Sequence, residues 1–159
     1  MGTDGPGGGK FRTADDLADA VRDAWVTLSS GGAPLVVCTG GEPLLQLDTE
    51  LIQAFHTRGL EVAIETNGTH LAPPDIDHIC VSPKAGAELV LNQGHELKLV
   101  FPQRGAEPER FTHLKFEHFY LQPMDGPQVR ENTRAAIEYC LRNPEWKLSV
   151  QTHKVLGIP

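Results

Sequence analysis

Apolar residues along the chain recur either with the period of a helix or in the short runs that are typical of buried strands. One helical face, with apolar positions at i, i+3, i+4, i+7, i+8 and i+11, predicts a first helix. Its members are Leu17, Ala20, Val21, Ala24, Trp25 and Leu28. Thr13 suits the N-cap of this helix, with Asp16 three residues on as its capping-box partner. Asp48 suits the N-cap of a second helix that ends near Gly59.

Six apolar runs predict strands, at 35–38, 61–65, 78–81, 96–101, 119–121 and 147–151. Further helices are expected over 87–91 and 106–116. A last helix, which ends before Pro144, carries the apolar face Ala136, Ile137, Cys140 and Leu141. Strands that alternate with helices or loops predict an α/β fold with a mostly parallel sheet. A full eight-stranded barrel usually takes about 200 or more residues, so a partial (β/α) barrel is expected for this chain.

Composition and charge narrow the class of protein. Residues 1–12 read as a glycine-rich loop, and residues 13–159 as a single domain. The net charge of −7 argues against direct nucleic-acid binding over a broad surface. There is no apolar run of roughly 18 residues for a membrane helix and no opening signal segment, so a cytoplasmic protein without a membrane partner is expected.

The three cysteines, Cys38, Cys80 and Cys140, are odd in number and far apart. They form neither a disulfide framework nor a CxxC metal motif. Each lies in an apolar stretch, which favours reduced thiols in the core. No metal ligands are therefore assigned in this chain.

The loop after the first predicted strand, Cys38-Thr39-Gly40-Gly41-Glu42-Pro43, has the strongest chemical signal. Glycine permits a positive φ and lets a ligand approach the backbone. An ionised Glu42 only accepts hydrogen bonds and so suits an ammonium group. The alternative is a tight turn with a solvated glutamate, which a lone pair of glycines would favour.

Similar polar motifs follow the other predicted strands, where parallel α/β folds place their ligands. They read Glu65-Thr66-Asn67-Gly68, Val81-Ser82-Pro83-Lys84, Gln122-Pro123-Met124-Asp125-Gly126 and Gln151-Thr152-His153-Lys154, with a terminal Ile158-Pro159. A further motif, Glu96-Leu97-Lys98, opens the fourth predicted strand. Over nearly the whole chain, these motifs resemble the radical S-adenosylmethionine superfamily, and more narrowly the 7-carboxy-7-deazaguanine synthase family of queuosine biosynthesis. The GGEP element indicates only the superfamily, whereas the QPMDG block with the QTHK terminus is far more specific.

The resemblance implies a site for S-adenosylmethionine. Gly40, Gly41 and Glu42 would meet the methionine ammonium, and Ser82, Pro83 and Lys84 would line the nucleoside or carboxylate side. The residues beside the adenosine would be Gln122, Pro123, Met124 and Asp125. Taken one at a time, Ser82-Pro83-Lys84 and Asp125-Gly126 are also ordinary turn sequences.

The resemblance also implies a substrate, 6-carboxy-5,6,7,8-tetrahydropterin, which the family converts to 7-carboxy-7-deazaguanine and ammonia. Thr39 would touch this pterin, and the terminal carboxylate of Pro159 would reach it, with Val155, Leu156 and Ile158 anchoring the tail. His153 could bond the substrate or pack locally, and Asn67 could orient substrate or form a turn. A homodimer and an external electron donor are expected from the family.

One departure from the family pattern concerns its [4Fe–4S] cluster, which is held by three cysteines, usually spaced CxxxCxxC. This sequence has no such motif, nor the Asp-Thr-Asp segment whose threonine helps to hold Mg²⁺. The expectation is that Met1 falls just after the cluster loop, so that the first strand is missing and the chain alone is inactive. No catalytic residue is assigned. The alternatives are a cluster-free scaffold or regulatory remnant that binds a nucleoside, and an activase of a glycyl-radical enzyme.

Overall fold

The structure, a computed structural model, describes residues 8–28 and 31–157. Its helices are α1 (Ala14–Leu28), α2 (Thr49–Thr57), α3 (Val129–Arg142) and α4 (Thr152–Leu156). Its strands are β1 (Leu35–Cys38), β2 (Glu61–Thr66), β3 (His78–Val81), β4 (Gln93–Phe101), β5 (Lys115–Pro123) and β6 (Trp146–Leu148). Two short 3₁₀ turns lie at Pro43–Leu45 and Pro108–Arg110.

The six strands form one sheet in chain order, β1-β2-β3-β4-β5-β6. The pairs β1–β2, β3–β4, β4–β5 and β5–β6 are all parallel. The predicted α/β class with a parallel sheet is therefore confirmed. Among the helices of the described residues, none has both the length and the apolar character needed to cross a membrane.

The chain divides into two compact units. The first is Met1–Thr66 with His70–Ile79, and the second is Asn67–Thr69 with Cys80–Pro159. The single domain expected over 13–159 stays a prediction.

The core of the first unit lies between its two helices and its strands. Ile52 and Phe55 of α2 pack with Val62 and Ile64 of β2 in one buried cluster that also includes Ala18 of α1. Ala18 lies outside the apolar face predicted for this helix, and Ala24, which belongs to that face, is exposed. The buried side of α1 is therefore shifted from the predicted face toward Ala14, Leu17, Ala18 and Val21.

Both predicted helix caps of the first unit are present. The Thr13 hydroxyl accepts a hydrogen bond from the Asp16 N–H at 3.1 Å. The Asp48 carboxylate accepts one from the Leu51 N–H at 2.9 Å. Each cap satisfies a backbone donor that has no partner inside its helix.

The second unit is built on the long pair β4–β5, with α3 packed on it. Its most buried side chains include Leu97 and Leu99 of β4, Leu121 of β5 and Trp146 of β6. β4 begins three residues earlier than predicted, because Gln93 pairs with Lys115 at the start of β5. The strand pairing thus extends beyond the apolar run that the sequence shows.

Two predicted helices are wrong. Residues 87–91 form no helix, since the N–H groups of Val90 and Leu91 both donate to the Gly68 carbonyl at 2.9 Å. In the stretch 106–116, the only helical element is the 3₁₀ turn Pro108–Arg110, which a turn at 111–113 follows. Pro108 has no N–H to continue a helix, and residues from Lys115 onward belong to β5.

The C-terminal elements α3, β6 and α4 also differ from the prediction. α3 forms as expected, but Ile137 and Leu141 are 41% and 79% exposed, so the buried stripe of this helix is narrower than its apolar pattern. β6 ends at Leu148 rather than at residue 151, and the next residues lead into α4, which was not predicted.

Gly68 is a position that only glycine fits. Its φ is +79°, and an added Cβ would lie 2.5 Å from Leu89 Cδ1 and 2.7 Å from Val81 Cγ1. Gly86 has the same φ but open space around it, so it isolates the backbone cost from the clash. We expect Gly68→Ala to lower the free energy of unfolding by about 1–3 kcal/mol more than Gly86→Ala does, measured by urea denaturation. Equal losses for the two variants would show that the neighbours of Gly68 move aside without cost.

Candidate functional site

The predicted site residues lie where parallel strands end. Thr39, Gly40, Gly41 and Glu42 follow β1 in the first unit. In the second unit, Ser82, Pro83 and Lys84 follow β3, and a further set, Gln122, Pro123, Met124 and Asp125, occupies the end of β5 and the residues after it. Loops at these carboxyl ends are the usual ligand-binding segments of such sheets.

The glycine pair after β1 has the open geometry expected of a binding loop. Gly40 has a φ of +126°, a value that L side chains rarely adopt. A Cβ at Gly40 or Gly41 would meet nothing within 4 Å, so the space beside this backbone is open. Thr39, immediately before them, is exposed. This loop can therefore be approached closely by a ligand.

Glu42 is held in place rather than free in solvent. It is half-buried, and its Oε1 accepts hydrogen bonds from the Leu44 N–H at 3.1 Å and from the Thr66 hydroxyl at 2.6 Å. It caps the 3₁₀ turn that begins at the buried Pro43. The alternative predicted a tight turn with a solvated glutamate. The turn is present, but the Glu42 carboxylate is half-buried and hydrogen-bonded.

The loop after β3 is compact. Pro83 is buried, Ser82 is half-buried, and the exposed Lys84 donates from Nζ to the Ser82 hydroxyl at 3.0 Å. The Ala87 N–H donates to the Lys84 carbonyl at 3.2 Å and closes a turn. An ammonium and a hydroxyl are thus paired at the end of this strand, in a form that could meet a carboxylate or a ribose.

The end of β5 lines a cavity of about 330 Å³. Its lining includes Gln122, Pro123 and Asp125, together with Gln151 and Lys154. Two sequence motifs, QPMDG and QTHK, therefore meet in this cavity. Met124 supports the wall through its backbone, since its N–H donates to the Phe101 carbonyl at 2.7 Å and its carbonyl accepts from Asn132 Nδ2 at 2.9 Å.

An ion pair joins Asp125 and Lys154, which both line this cavity. The hydrogen bond from Lys154, and after it the backbone N–H of Gly126, holds the pKa of the Asp125 carboxyl below its usual value. Both side chains are exposed, so the pair fixes their geometry more than it stabilises the fold.

Other predicted residues have different surroundings. His153 is exposed on α4 and does not line the cavity. Asn67 Oδ1 accepts from the Thr69 N–H at 2.9 Å, which is the turn role that the sequence left open. Leu156 is 64% exposed, so it does not anchor the tail as expected. Pro159 and Ile158, and the side chain of Val155, lie outside the described residues.

Sequence reasoning missed two side chains. Lys154 stands in the QTHK motif but was given no role, and its pairing with Asp125 spans 29 residues of sequence. Thr66 stands in the ETNG motif, and its bond to Glu42 spans 24 residues. The available signal was that each belongs to a polar motif just after a predicted strand.

The cysteines do not fit an iron–sulfur cluster. Cys38 ends β1, Cys80 lies buried in β3, and Cys140 lies in α3. Burial raises the pKa of the Cys38 and Cys140 thiols, which disfavours the thiolates that a cluster needs. Across residues 8–28 and 31–157, no group of three or more His, Cys, Asp or Glu side chains is arranged to hold a metal ion.

Comparisons with known proteins find relatives in sequence and in structure. The 7-carboxy-7-deazaguanine synthase of Caulobacter vibrioides is 61% identical over 161 residues, which cover 100% of this chain and 75% of the relative. The synthase of Bordetella pertussis is 60% identical over 162 residues, with the same two shares. The crystal structure of QueE from Escherichia coli matches with a TM-score of 0.68 and 30% identity, over 87% of this chain and 63% of that one. No family model matches the chain.

The Asp125–Lys154 pair makes a testable prediction about the cavity. Replacing Lys154→Met removes the main cause of the lowered pKa, so the carboxyl should titrate closer to its ordinary value of 3.8 in an NMR pH titration. A carboxyl whose pKa is lower in the folded than in the unfolded protein adds stability at pH values above its unfolded pKa. The variant should therefore have a lower free energy of unfolding than the parent protein at neutral pH. This difference should disappear as the pH falls through the pKa of Asp125 in the folded protein.

The matched control is Lys147→Met. This lysine is also exposed, but its Nζ lies 3.3 Å from His118 Nδ1 rather than beside Asp125. The titration of Asp125 should be unchanged in this variant. An equal shift in both variants would trace the effect to the overall charge of the protein.

Proposed function

This chain belongs to the 7-carboxy-7-deazaguanine synthase family, and we propose that it serves the conversion of 6-carboxy-5,6,7,8-tetrahydropterin to 7-carboxy-7-deazaguanine and ammonia. This is a lyase reaction of the radical S-adenosylmethionine type in queuosine biosynthesis. The observation that carries the proposal is an identity of 60–61% to two such synthases across 100% of the chain. The expected compartment is the cytoplasm.

In the first unit, we propose that the loop after β1 binds the methionine part of S-adenosylmethionine. The open backbone of Gly40 and Gly41 admits the ligand, and the fixed carboxylate of Glu42 accepts from its ammonium. Adenosylmethionine supplies the radical chemistry of the superfamily when bound. The residues of this chain bind and orient it.

In the second unit, we propose that Ser82, Pro83 and Lys84 contact the nucleoside or carboxylate portion of the cofactor. Gln122–Asp125 would contact the adenosine, since the cavity at these residues has apolar walls and a few polar groups. The proposed contacts to the pterin come from Thr39, His153 and Pro159. We also propose that the protein is a homodimer and that it receives electrons from an external electron donor.

No residue of this chain is assigned to the [4Fe–4S] cluster or the Mg²⁺ of the family. The cysteines stand on three separate elements, which favours a second candidate function. In that case the chain is a scaffold that binds a nucleoside without a cluster. The two candidates differ in whether the pterin is bound and converted, and they share the adenosylmethionine site.

The cofactor site predicts a specific effect of Glu42→Gln. Losing the negative charge removes a charge-assisted hydrogen bond worth roughly 1.5–3 kcal/mol, so the affinity for S-adenosylmethionine should fall by about ten-fold or more in calorimetry. Binding of 5′-methylthioadenosine, which has no ammonium group, should be unchanged. The matched control is Glu50→Gln, because Glu50 is an exposed residue of α2 in the same unit. Unchanged affinity of the Glu42 variant would remove Glu42 from the site.

The cysteine positions predict the outcome of cluster reconstitution. Incubated anaerobically with iron and sulfide, the 159-residue chain should acquire no stoichiometric cluster, because its thiols lie on β1, β3 and α3. The measurement is iron per chain together with the visible absorption spectrum. Residual iron should be the same after Cys38→Ser or Cys140→Ser. About four irons per chain, lost in these variants, would instead make the cysteines cluster ligands.

A further inference from the structure

Thr66 is a polar residue in an apolar series. Side chains on one face of a strand recur every second residue. On β2, this places Thr66 in line with Val62 and Ile64, which are fully buried in the core cluster. Thr66 itself is only 3% exposed. Valine has nearly the same shape as threonine, so packing alone does not explain the hydroxyl.

The hydroxyl is explained by its bond to Glu42. Thr66 Oγ1 donates to Glu42 Oε1 at 2.6 Å, which is the short range of hydrogen bonds to an ionised acceptor. The same oxygen accepts from the Leu44 N–H at 3.1 Å. Two donors from different parts of the fold therefore converge on one carboxylate oxygen.

This convergence sets the direction of the carboxylate. A glutamate side chain has three rotatable bonds, and a single donor leaves much of their freedom. The Leu44 N–H lies two residues from Glu42, so it moves with the loop, whereas Thr66 ends a strand of the sheet. The bond from Thr66 thus ties the orientation of the carboxylate to the sheet itself.

We propose that Thr66 is a positioning residue that holds Glu42 ready for the ammonium group of its ligand. The proposal rests on the proposed function, since it takes Glu42 as the group that meets the methionine ammonium. It adds a residue that would touch no ligand and would act only through Glu42. A carboxylate already fixed before binding loses less conformational freedom when the ligand arrives.

The test uses Thr66→Val and Thr66→Ser in the whole chain, with S-adenosylmethionine and 5′-methylthioadenosine as probes in calorimetry. Valine keeps the shape and removes the donor, so the affinity for S-adenosylmethionine should fall by roughly five- to ten-fold. Serine keeps the hydroxyl, so its affinity should stay within about two-fold of the parent. Neither variant should change binding of 5′-methylthioadenosine, which has no ammonium to meet.

A matched control and a double-mutant cycle separate positioning from general packing. Thr57 also donates from its hydroxyl, to the Gln53 carbonyl at 2.8 Å within α2, so Thr57→Val removes a similar bond elsewhere in the unit. Its affinity should be unchanged. If Thr66 acts through Glu42, then Thr66→Val combined with Glu42→Gln should bind no more weakly than Glu42→Gln alone.

Several outcomes would overturn the proposal. Parental affinity in Thr66→Val, failure of serine to restore binding, or an equal loss for 5′-methylthioadenosine would each remove the role of Thr66. If the losses of S-adenosylmethionine affinity in Thr66→Val and Glu42→Gln add up in the double variant, Thr66 does not act through Glu42. In that case Glu42 would keep its own role in binding. An unchanged Glu42→Gln variant would overturn both Thr66 and the proposed cofactor contact. If Thr66→Val does not fold, Thr66→Cys, with only a weak donor, replaces it in each comparison.

Discussion

Parallel strand pairing is the constraint on which the rest of this structure depends. In a parallel pair, the chain must leave each strand at its carboxyl end and return to the amino end of the next. The segments that leave β1, β3 and β5 are therefore the ones free to carry polar groups, while the strands themselves carry the core. This is why the motifs after β1, β3 and β5 lie at strand ends, whereas Glu96-Leu97-Lys98 lies inside β4.

Within the first unit, the packing of α1 and α2 on β1 and β2 supports the loop that follows β1. The buried cluster fixes one face of β2 up to Thr66, and Thr66 in turn fixes the carboxylate of Glu42. The glycines between β1 and Glu42 then leave their backbone open. Rigidity and access, which a binding loop needs together, thus come from different residues of one short segment.

Within the second unit, close packing holds one loop and an ion pair joins two others. Gly68 lies so close to Leu89 and Val81 that no side chain fits, and its carbonyl accepts from two N–H groups of the 87–91 segment. At the end of β5, the Asp125–Lys154 pair brings two distant motifs to one cavity. The cavity wall is completed by backbone groups of Met124, so its shape depends on β4 and α3 as well as on its own motif.

The sequence by itself determined the elements whose signals are local. Apolar periods and capping residues such as Thr13 and Asp48 located the first two helices, and short apolar runs located the strands, because these preferences act over a few residues. The alternation of strands with helices or loops predicted a mostly parallel sheet. The tertiary structure alone decided that 87–91 is not a helix, since the distant Gly68 carbonyl accepts from the N–H groups of Val90 and Leu91. For 106–116, Pro108 was a local signal against a helix, and the pairing of β5 from Lys115 onward was decided by the tertiary structure. It also decided that Thr66 meets Glu42 and that Lys154 meets Asp125. Contacts across 24 or 29 residues depend on how strands are brought together, which no local pattern encodes.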